Sequence, residues 1–240
     1  MNEHIITTNY TISTNGRACF RAAVVSDTHE ADPDPIYNAV KKISPDIIFL
    51  AGDIVEAKTP LSAALHDGAK STVSYKLIRS LCRIAPVYYG LGNHEEHLTP
   101  RQCDEIGKTD VHVLVDSYMR VKLKGCEIVV GAILPWGEGS AKMLEDFRRQ
   151  DCYRVLLCHR PEQYINEFYD KRDDIVLAGH AHGGQWRFFG RGGYAPGQGI
   201  FPRYTRGVYG NLLVSAGAHN SEIIPRLNDP CEILAVEFVL

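Results

Sequence analysis

The sequence predicts an α/β protein in which two mixed β-sheets pack face to face with helices outside them, a four-layer α/β/β/α sandwich. Three observations lead there. Short, nearly continuous apolar runs recur along the chain and each closes on a polar cluster; segments of helical periodicity lie between them; and one interval alternates polar and apolar residues about a Lys-Gly pair. Apolar runs without alternation read as strands buried on both faces. Strand alternating with helix gives an α/β architecture, and the alternating interval adds antiparallel pairing.

In chain order, Ala22–Val25 is the first run and ends at Ser26-Asp27, followed by a helical segment over Pro35–Ile43. Ile47–Ala51 ends at Gly52-Asp53, and Leu61–Arg83 carries apolar residues at Leu61, Ala64, Leu65, Leu77, Ile78 and Leu81, at helical spacing. Val87–Leu91 ends at Gly92-Asn93 and precedes a helix over Pro100–Ile106. Met119–Leu134 reads as a hairpin turning at Lys124-Gly125. A helix over Ala141–Gln150 leads to Val155–Cys158, which ends at His159; a helix over Pro161–Tyr169 leads to Ile175–Ala178, which ends at Gly179-His180. Asn211–Ser215 and Glu232–Val239 read as further strands flanking Gly217–Pro230. Residues 1–18 read as a polar leader and 183–210 as a loop rich in Gly, aromatics and Arg. No repeat, low-complexity tract or linker divides residues 1–240, so a single domain is expected.

Composition narrows the function. With 240 residues, 45% hydrophobic and 23% charged, the chain can bury a sizeable core without staples. A net charge of -3, from 26 basic and 29 acidic side chains, argues against stable nucleic-acid binding. The longest apolar run, Ile47–Ala51, is far short of the ~20 residues a membrane span needs. The first twenty residues lack the basic and apolar regions of a secretory signal, and clusters of Met and Lys that would mark a dedicated membrane surface are absent. Peripheral membrane contact remains compatible with the composition. Seven scattered cysteines without a CxxC pair suggest buried, reduced thiols, and with them a cytoplasmic protein.

The chemistry gathers where the runs end. There stand Asp27 and His29 (SDTH), Asp53 (GDIVE), Asn93 and His94 (GNHE), His159 (CHRPE), and His180 and His182 (GHAHGG). Taken singly, each aspartate reads as a helix cap or turn residue and each histidine as a satisfied polar side chain. Taken together, carboxylates, an amide and imidazoles at five successive strand ends point to a metal site, because the carboxyl ends of parallel strands are where ligands collect. The donors are nitrogen and oxygen only, which suits Mn²⁺, Fe²⁺ or Zn²⁺. Even with His94 set aside, seven donors exceed one tetrahedral ion and suit two ions sharing a carboxylate.

The ordered motifs D-x-H, G-D-x-x-(D/E), G-N-H-(D/E), H and G-H-x-H, from Asp27 to His182, resemble those of the calcineurin-like metallophosphoesterases. The continuation through HGGQ, APGQGIFPRYTRGVYG and SAGAHNSEIIPRLNDPCEI resembles one bacterial branch, which includes membrane-associated phosphodiesterases and enzymes acting on UDP-diacylglucosamine. The resemblance implies the metallophosphatase fold, in agreement with the layers above. It also implies one ion on Asp27, His29 and His182, a second on Asn93, His159 and His180, and Asp53 between them. His94 would lie beside the scissile phosphate. Glu56 stands where many relatives have Asp and would orient His94, with Glu95 a rival for that task.

The activity implied is hydrolysis of a phosphodiester or pyrophosphate by in-line attack of a metal-bridging hydroxide, His94 serving the leaving oxygen. Phosphoprotein phosphatases of the superfamily carry GDxxDRG where this chain has GDIVEAK, which removes their substrate-binding arginine. A small-molecule phosphomonoesterase and a non-catalytic scaffold on the same fold are the alternatives. Substrate contacts are expected from the 183–210 loop, through Trp186, Arg187, Arg203 and Arg206; the competing reading has its aromatics folding back on the core.

Overall fold

A computed structural model describes residues 5–57, 61, 71–136, 139–220 and 225–240. One six-stranded sheet runs β1 (Ile6–Ser13), β16 (Glu232–Val239), β2 (Phe20–Val25), β3 (Ile47–Ala51), β4 (Val87–Gly90), β5 (His112–Leu114). The other runs β14 (Gly207–Tyr209), β15 (Leu212–Val214), β9 (Ile175–Ala178), β8 (Tyr153–Cys158), β7 (Cys126–Ile133), β6 (Ser117–Leu123). Two small hairpins pair β10 (Arg187–Phe188) with β11 (Arg191–Gly192) and β12 (Tyr194–Ala195) with β13 (Gly199–Ile200). Helices α1 (Pro33–Ile43), α2 (Ser71–Cys82), α3 (Pro100–Gly107) and α4 (Ser140–Arg148) complete the layers.

The apolar runs split their side chains between two cores, as the period of two in a strand requires. In β3, Ile47, Phe49 and Ala51 enter the core between the sheets, and Ile48 and Leu50 the core under the helices. In β8, Val155 and Leu157 face the other sheet while Leu156 and Cys158 face α4. Helix α1 closes the first sheet with Ile36, Val40 and Ile43, α2 with Leu77, Ile78 and Leu81, and α4 closes the second with Met143, Leu144 and Phe147. This is the four-layer sandwich the sequence predicts.

Local signals fix several boundaries. Asp32 caps α1, its side chain accepting from Asp34 N–H, so the helix starts at Pro33, two residues before the expected start. Thr99 and Gln102 form a capping box on α3. The β6–β7 hairpin turns at Lys124 and Gly125, with φ of 45° and 83°, the turn that matches strand twist. The predicted helix over Leu61–Arg83 is described only at Leu61 and from Ser71 on; residues 62–70 lie outside the described residues.

Three expectations are corrected. Residues 6–13 are no leader but an edge strand, paired in parallel with β16 from Ile6↔Glu232 to Ser13↔Val239; half-buried and exposed residues alternate along it, so its polar composition conceals a period of two. The 183–210 segment is not wholly irregular, since it holds both small hairpins and β14. Of the seven cysteines, none in a disulfide, only Cys158 and Cys231 are buried, and Cys19 and Cys103 are exposed. No helix among the described residues is long and apolar enough to cross a membrane.

Candidate metal centre

Strands β2, β3 and β4 run parallel, as do β7, β8 and β9, and the loops after β2, β3, β4, β8 and β9 meet. Five of the side chains there stand on left-handed backbone: Asp27, His29, Asp53, His180 and His182 have φ between 43° and 67°. Such geometry costs roughly 1–2 kcal/mol per non-glycine residue and persists only where the surroundings enforce it. Bonds between the loops do so. Asp27 N–H donates to Gly52 O (3.0 Å), Thr28 N–H to Asp53 O (2.9 Å), and Gly179 N–H to His159 O (3.0 Å). His180 N–H donates to the Asp27 carboxylate at 3.0 Å. Gly217, with φ of 80°, backs Asp27 so closely that a Cβ there would lie 2.8 Å from the Asp27 Cβ.

Among the described residues three groups of donors have their ligand atoms within 4.8 Å of one another: Asp27, His29 and His182; Asp53, His159 and His180; and, overlapping both, His29, Asp53 and His94. In the first, His29 Nε2 and His182 Nε2 are 3.3 Å apart, and Asp27 Oδ1 is 3.7 Å from His182 Nε2. In the second, Asp53 Oδ2 lies 3.0 Å from His159 Nε2, with His180 alongside. Asp53 Oδ2 is also 4.0 Å from His29 Nε2 and 3.8 Å from His94 Nε2, so one carboxylate oxygen faces both groups. Asn93 is buried in the turn after β4, and its Oδ1 accepts from Arg160 Nε at 3.5 Å.

These donors fit a divalent cation. His159 Nδ1 donates to Ala51 O at 2.7 Å, which turns the Nε2 lone pair toward Asp53 Oδ2. Both atoms are buried and neither has a hydrogen-bond partner. A lone pair and a carboxylate oxygen at 3.0 Å repel unless a positive charge stands between them. Burial pushes the His159 pKa down, but the Asp53 and Asp27 carboxylates outweigh burial and lift it to about 10, so this position draws positive charge. Asp53 is held well below the carboxylate range against its burial by His159, His94 and His29. Burial and neighbouring cationic groups push His180 and His182 well below the ordinary imidazole value, leaving them neutral and able to ligate.

The surrounding carboxylates divide the labour. Glu56 reaches His94 Nδ1 at 2.5 Å and His29 Nδ1 at 3.2 Å. Burial raises its pKa, but the two imidazoles pull it down to about 2. The Glu95 side chain is bonded elsewhere. It accepts from the backbone N–H groups of Asp53 (3.0 Å), Ile54 (2.6 Å), Val55 (2.8 Å) and Gly92 (2.6 Å), and from Tyr89 O–H (2.5 Å). Glu56 is thus bonded to the His94 ring, while Glu95 holds the backbone of the loop that presents Asp53.

Three neighbours escaped the sequence reading. Arg160 sits beside Asn93, Glu162 Oε1 lies 3.5 Å from His180 Nε2, and Arg226 Nη2 lies 3.1 Å from His182 Nδ1 while donating to His219 O. Arg160 and Glu162 follow His159 at the end of β8, so the strand-end rule reaches them; Arg226 is 44 residues from His182 and carries no such signal.

The expected substrate residues are placed differently. Arg187 donates to Gly183 O, Gly190 O and Thr205 Oγ1, and Arg206 is tied to Glu232 (2.6 Å), Thr8 and, at 3.8 Å, Asp229. Both guanidinium groups thus brace the fold. Arg203 is exposed over the Tyr204 ring, and Trp186 donates to Pro225 O at 3.2 Å. Neither makes a described contact with the metal-ligand cluster.

The sequence profile of calcineurin-like phosphoesterases matches residues 20–184, which contain every donor described above. The uncharacterized protein YpbG of Bacillus subtilis (strain 168) is 26% identical over 185 residues, covering 72% of this chain and 65% of that protein. Among solved structures, Haemophilus influenzae NAD nucleotidase superposes with a TM-score of 0.49 at 15% identity, over 69% of this chain and 39% of that one. The Thermus thermophilus protein TT1561 superposes at 0.46 and 15% identity, over 68% and 82%. The chain thus spans less than two thirds of YpbG and of the nucleotidase. With a profile match that runs from β2 through the GHAHGG turn, the chain belongs to the calcineurin-like phosphoesterase family.

Proposed function

We propose that the chain is a dinuclear-metal phosphoesterase that hydrolyses a phosphodiester or pyrophosphate. Asp27, His29 and His182 would hold one ion, Asn93, His159 and His180 the other, and Asp53 both. The observation that carries this is Asp53 Oδ2, a buried oxygen without a hydrogen-bond partner, 3.0 Å from an imidazole of one donor group and 4.0 Å from an imidazole of the other. Two ions of the Mn²⁺, Fe²⁺ or Zn²⁺ class would supply Lewis-acid stabilisation of phosphate charge and acidify water beside it.

The chain's own groups do the rest. Glu56, ionised down to a pH of about 2, accepts from His94 Nδ1 and so keeps the ring's Nε2 as its free edge. A ring that carries both protons can hand the one on Nε2 to the leaving oxygen while Nδ1–H stays on Glu56. Arg160 adds a guanidinium beside Asn93 for a phosphate oxygen. The GDIVEAK sequence at Gly52–Lys58, without the arginine of phosphoprotein phosphatases, supports a diester or pyrophosphate over a phosphoprotein.

The test is hydrolysis of bis-p-nitrophenyl phosphate and p-nitrophenyl phosphate by protein stripped with chelator and reloaded with Mn²⁺. Metal-dependent turnover that favours the diester is expected. A preference for the monoester overturns the substrate class, and no turnover of either with both ions bound leaves a non-catalytic scaffold.

A further inference from the structure

The two small hairpins place bulky apolar side chains where both water and the backbone disfavour them. Phe189 and Gly190 form the two-residue turn between β10 and β11, with φ of 51° and 79°. Asn, Asp and Gly suit such a turn, and a bulky residue with positive φ is an outlier. Yet Phe189 is fully exposed, at 106%. Phe201, after β13, repeats the combination, with φ of 54° and 80% exposure. Phe188 and Ile200 are exposed beside them. The hairpins form one unit through Gly193, whose N–H donates to Trp186 O (2.7 Å) and whose carbonyl accepts from Phe201 N–H (2.9 Å).

Charge selects the partner. Residues 183–210 contain four arginines and no Asp or Glu, in a chain of net charge -3. Arg187 and Arg206 are spent inside the fold, whereas Arg191 and Arg203 are exposed. Exposed apolar side chains, one at the β10–β11 turn and one at the base of the second hairpin, with outward cations near them in the chain, are the pattern of an interfacial anchor, apolar groups entering the headgroup boundary and basic groups meeting lipid phosphates. We infer that the two hairpins dock on an anionic lipid bilayer, with Phe189 and Phe201 inserted and Arg191 and Arg203 on the headgroups. The unit begins at Gly183, directly after His182, and Gly193 N–H also reaches Gly184 O at 2.9 Å, so the docking unit is tied to the loop that carries His182.

The test is co-sedimentation of the full chain with vesicles of phosphatidylcholine alone or mixed with phosphatidylglycerol, a readout independent of turnover. Binding to the mixed vesicles, weakened by salt and much weaker on phosphatidylcholine alone, is expected. Arg191→Gln with Arg203→Gln should lower the partition coefficient about 30-fold, from about 1 kcal/mol per basic side chain near an anionic surface. Phe189→Asn with Phe201→Asn should lower it about 100-fold, taking about 1.5 kcal/mol for each buried Phe. Asn suits positive φ, so this variant should melt no lower than the parent, and lost binding then cannot be ascribed to misfolding. Absence of binding to mixed vesicles, or equal binding by the Asn variant, overturns the inference. So does self-association of the parent that the Asn variant abolishes, which assigns the patch to a second copy.

Discussion

Replacing Glu95 with Gln removes a charge while keeping the shape, and the structure sets the size of the effect. Five donors converge on the two carboxylate oxygens: Ile54 N–H, Val55 N–H and Tyr89 O–H on Oε1, Asp53 N–H and Gly92 N–H on Oε2. Burial and the Asp53 charge push the Glu95 pKa up, but this arrangement of donors requires the ionised form. A Gln amide satisfies one side and aims its own N–H₂ at the other, so at least two backbone N–H groups lose their acceptor in a site only 1% exposed. At about 1.5–3 kcal/mol per charge-assisted bond, less the relief from no longer burying a charge, the loss is about 3 kcal/mol. That is a substantial part of the ~5–15 kcal/mol that holds a domain folded. Urea unfolding of metal-free parent and variant measures it, and metal titration should show weaker affinity, because the loop presenting Asp53 loses its support. A loss below about 1 kcal/mol with unchanged metal affinity would refute the role given to Glu95.

Other consequences are equally concrete. His94→Ala should lower diester turnover by roughly 10²–10⁴ while metal content, read by elemental analysis, stays at the parent level. Glu56 is depressed to about 2 from an ordinary 4.5, so its stabilisation of the metal-free fold is fully present above pH 4.5 and lost as pH falls toward 2. The gap in melting temperature between parent and Glu56→Gln should therefore close across that window, and a constant gap would show the carboxylate to be no more acidic when folded. Gly217→Ala forces an Ala to φ of 80° and a Cβ against Asp27, so it should cost at least about 1 kcal/mol in urea unfolding and weaken metal binding; a neutral effect on both would mean the Asp27 loop relaxes freely.

Much of this was readable because burial on both faces leaves a plain mark. Ile47–Ala51 and Ile175–Ala178 can face two cores only if every residue is apolar, so their bounds emerged unchanged in β3 and β9. The donors follow from the same logic, since a strand that must end apolar hands its next residues to the loop where ligands gather. Strand β1 escaped because an edge strand with one half-buried face needs only Ile6, Thr8, Tyr10 and Ile12 inward, and its alternate residues Thr7, Asn9, Thr11 and Ser13 look like a leader. The internal partners of Arg187 and Arg206 were not legible, because sequence shows a guanidinium but not the Thr205 or Glu232 that it meets in the fold. Glu56 and Glu95, both close to the motifs' metal-binding residues in sequence, became distinct only when geometry set one against His94 and the other against the Asp53 backbone.

The most direct measurement is metal stoichiometry, by elemental analysis of chelator-stripped protein re-equilibrated with Mn²⁺ or Zn²⁺, for the parent and for Asp53→Asn. A carboxylate shared by both donor groups predicts two equivalents per chain in the parent and fewer, more weakly held, in the variant. Two equivalents retained in Asp53→Asn would contradict the sharing of Asp53, and one or none in the parent would contradict the two-ion centre itself.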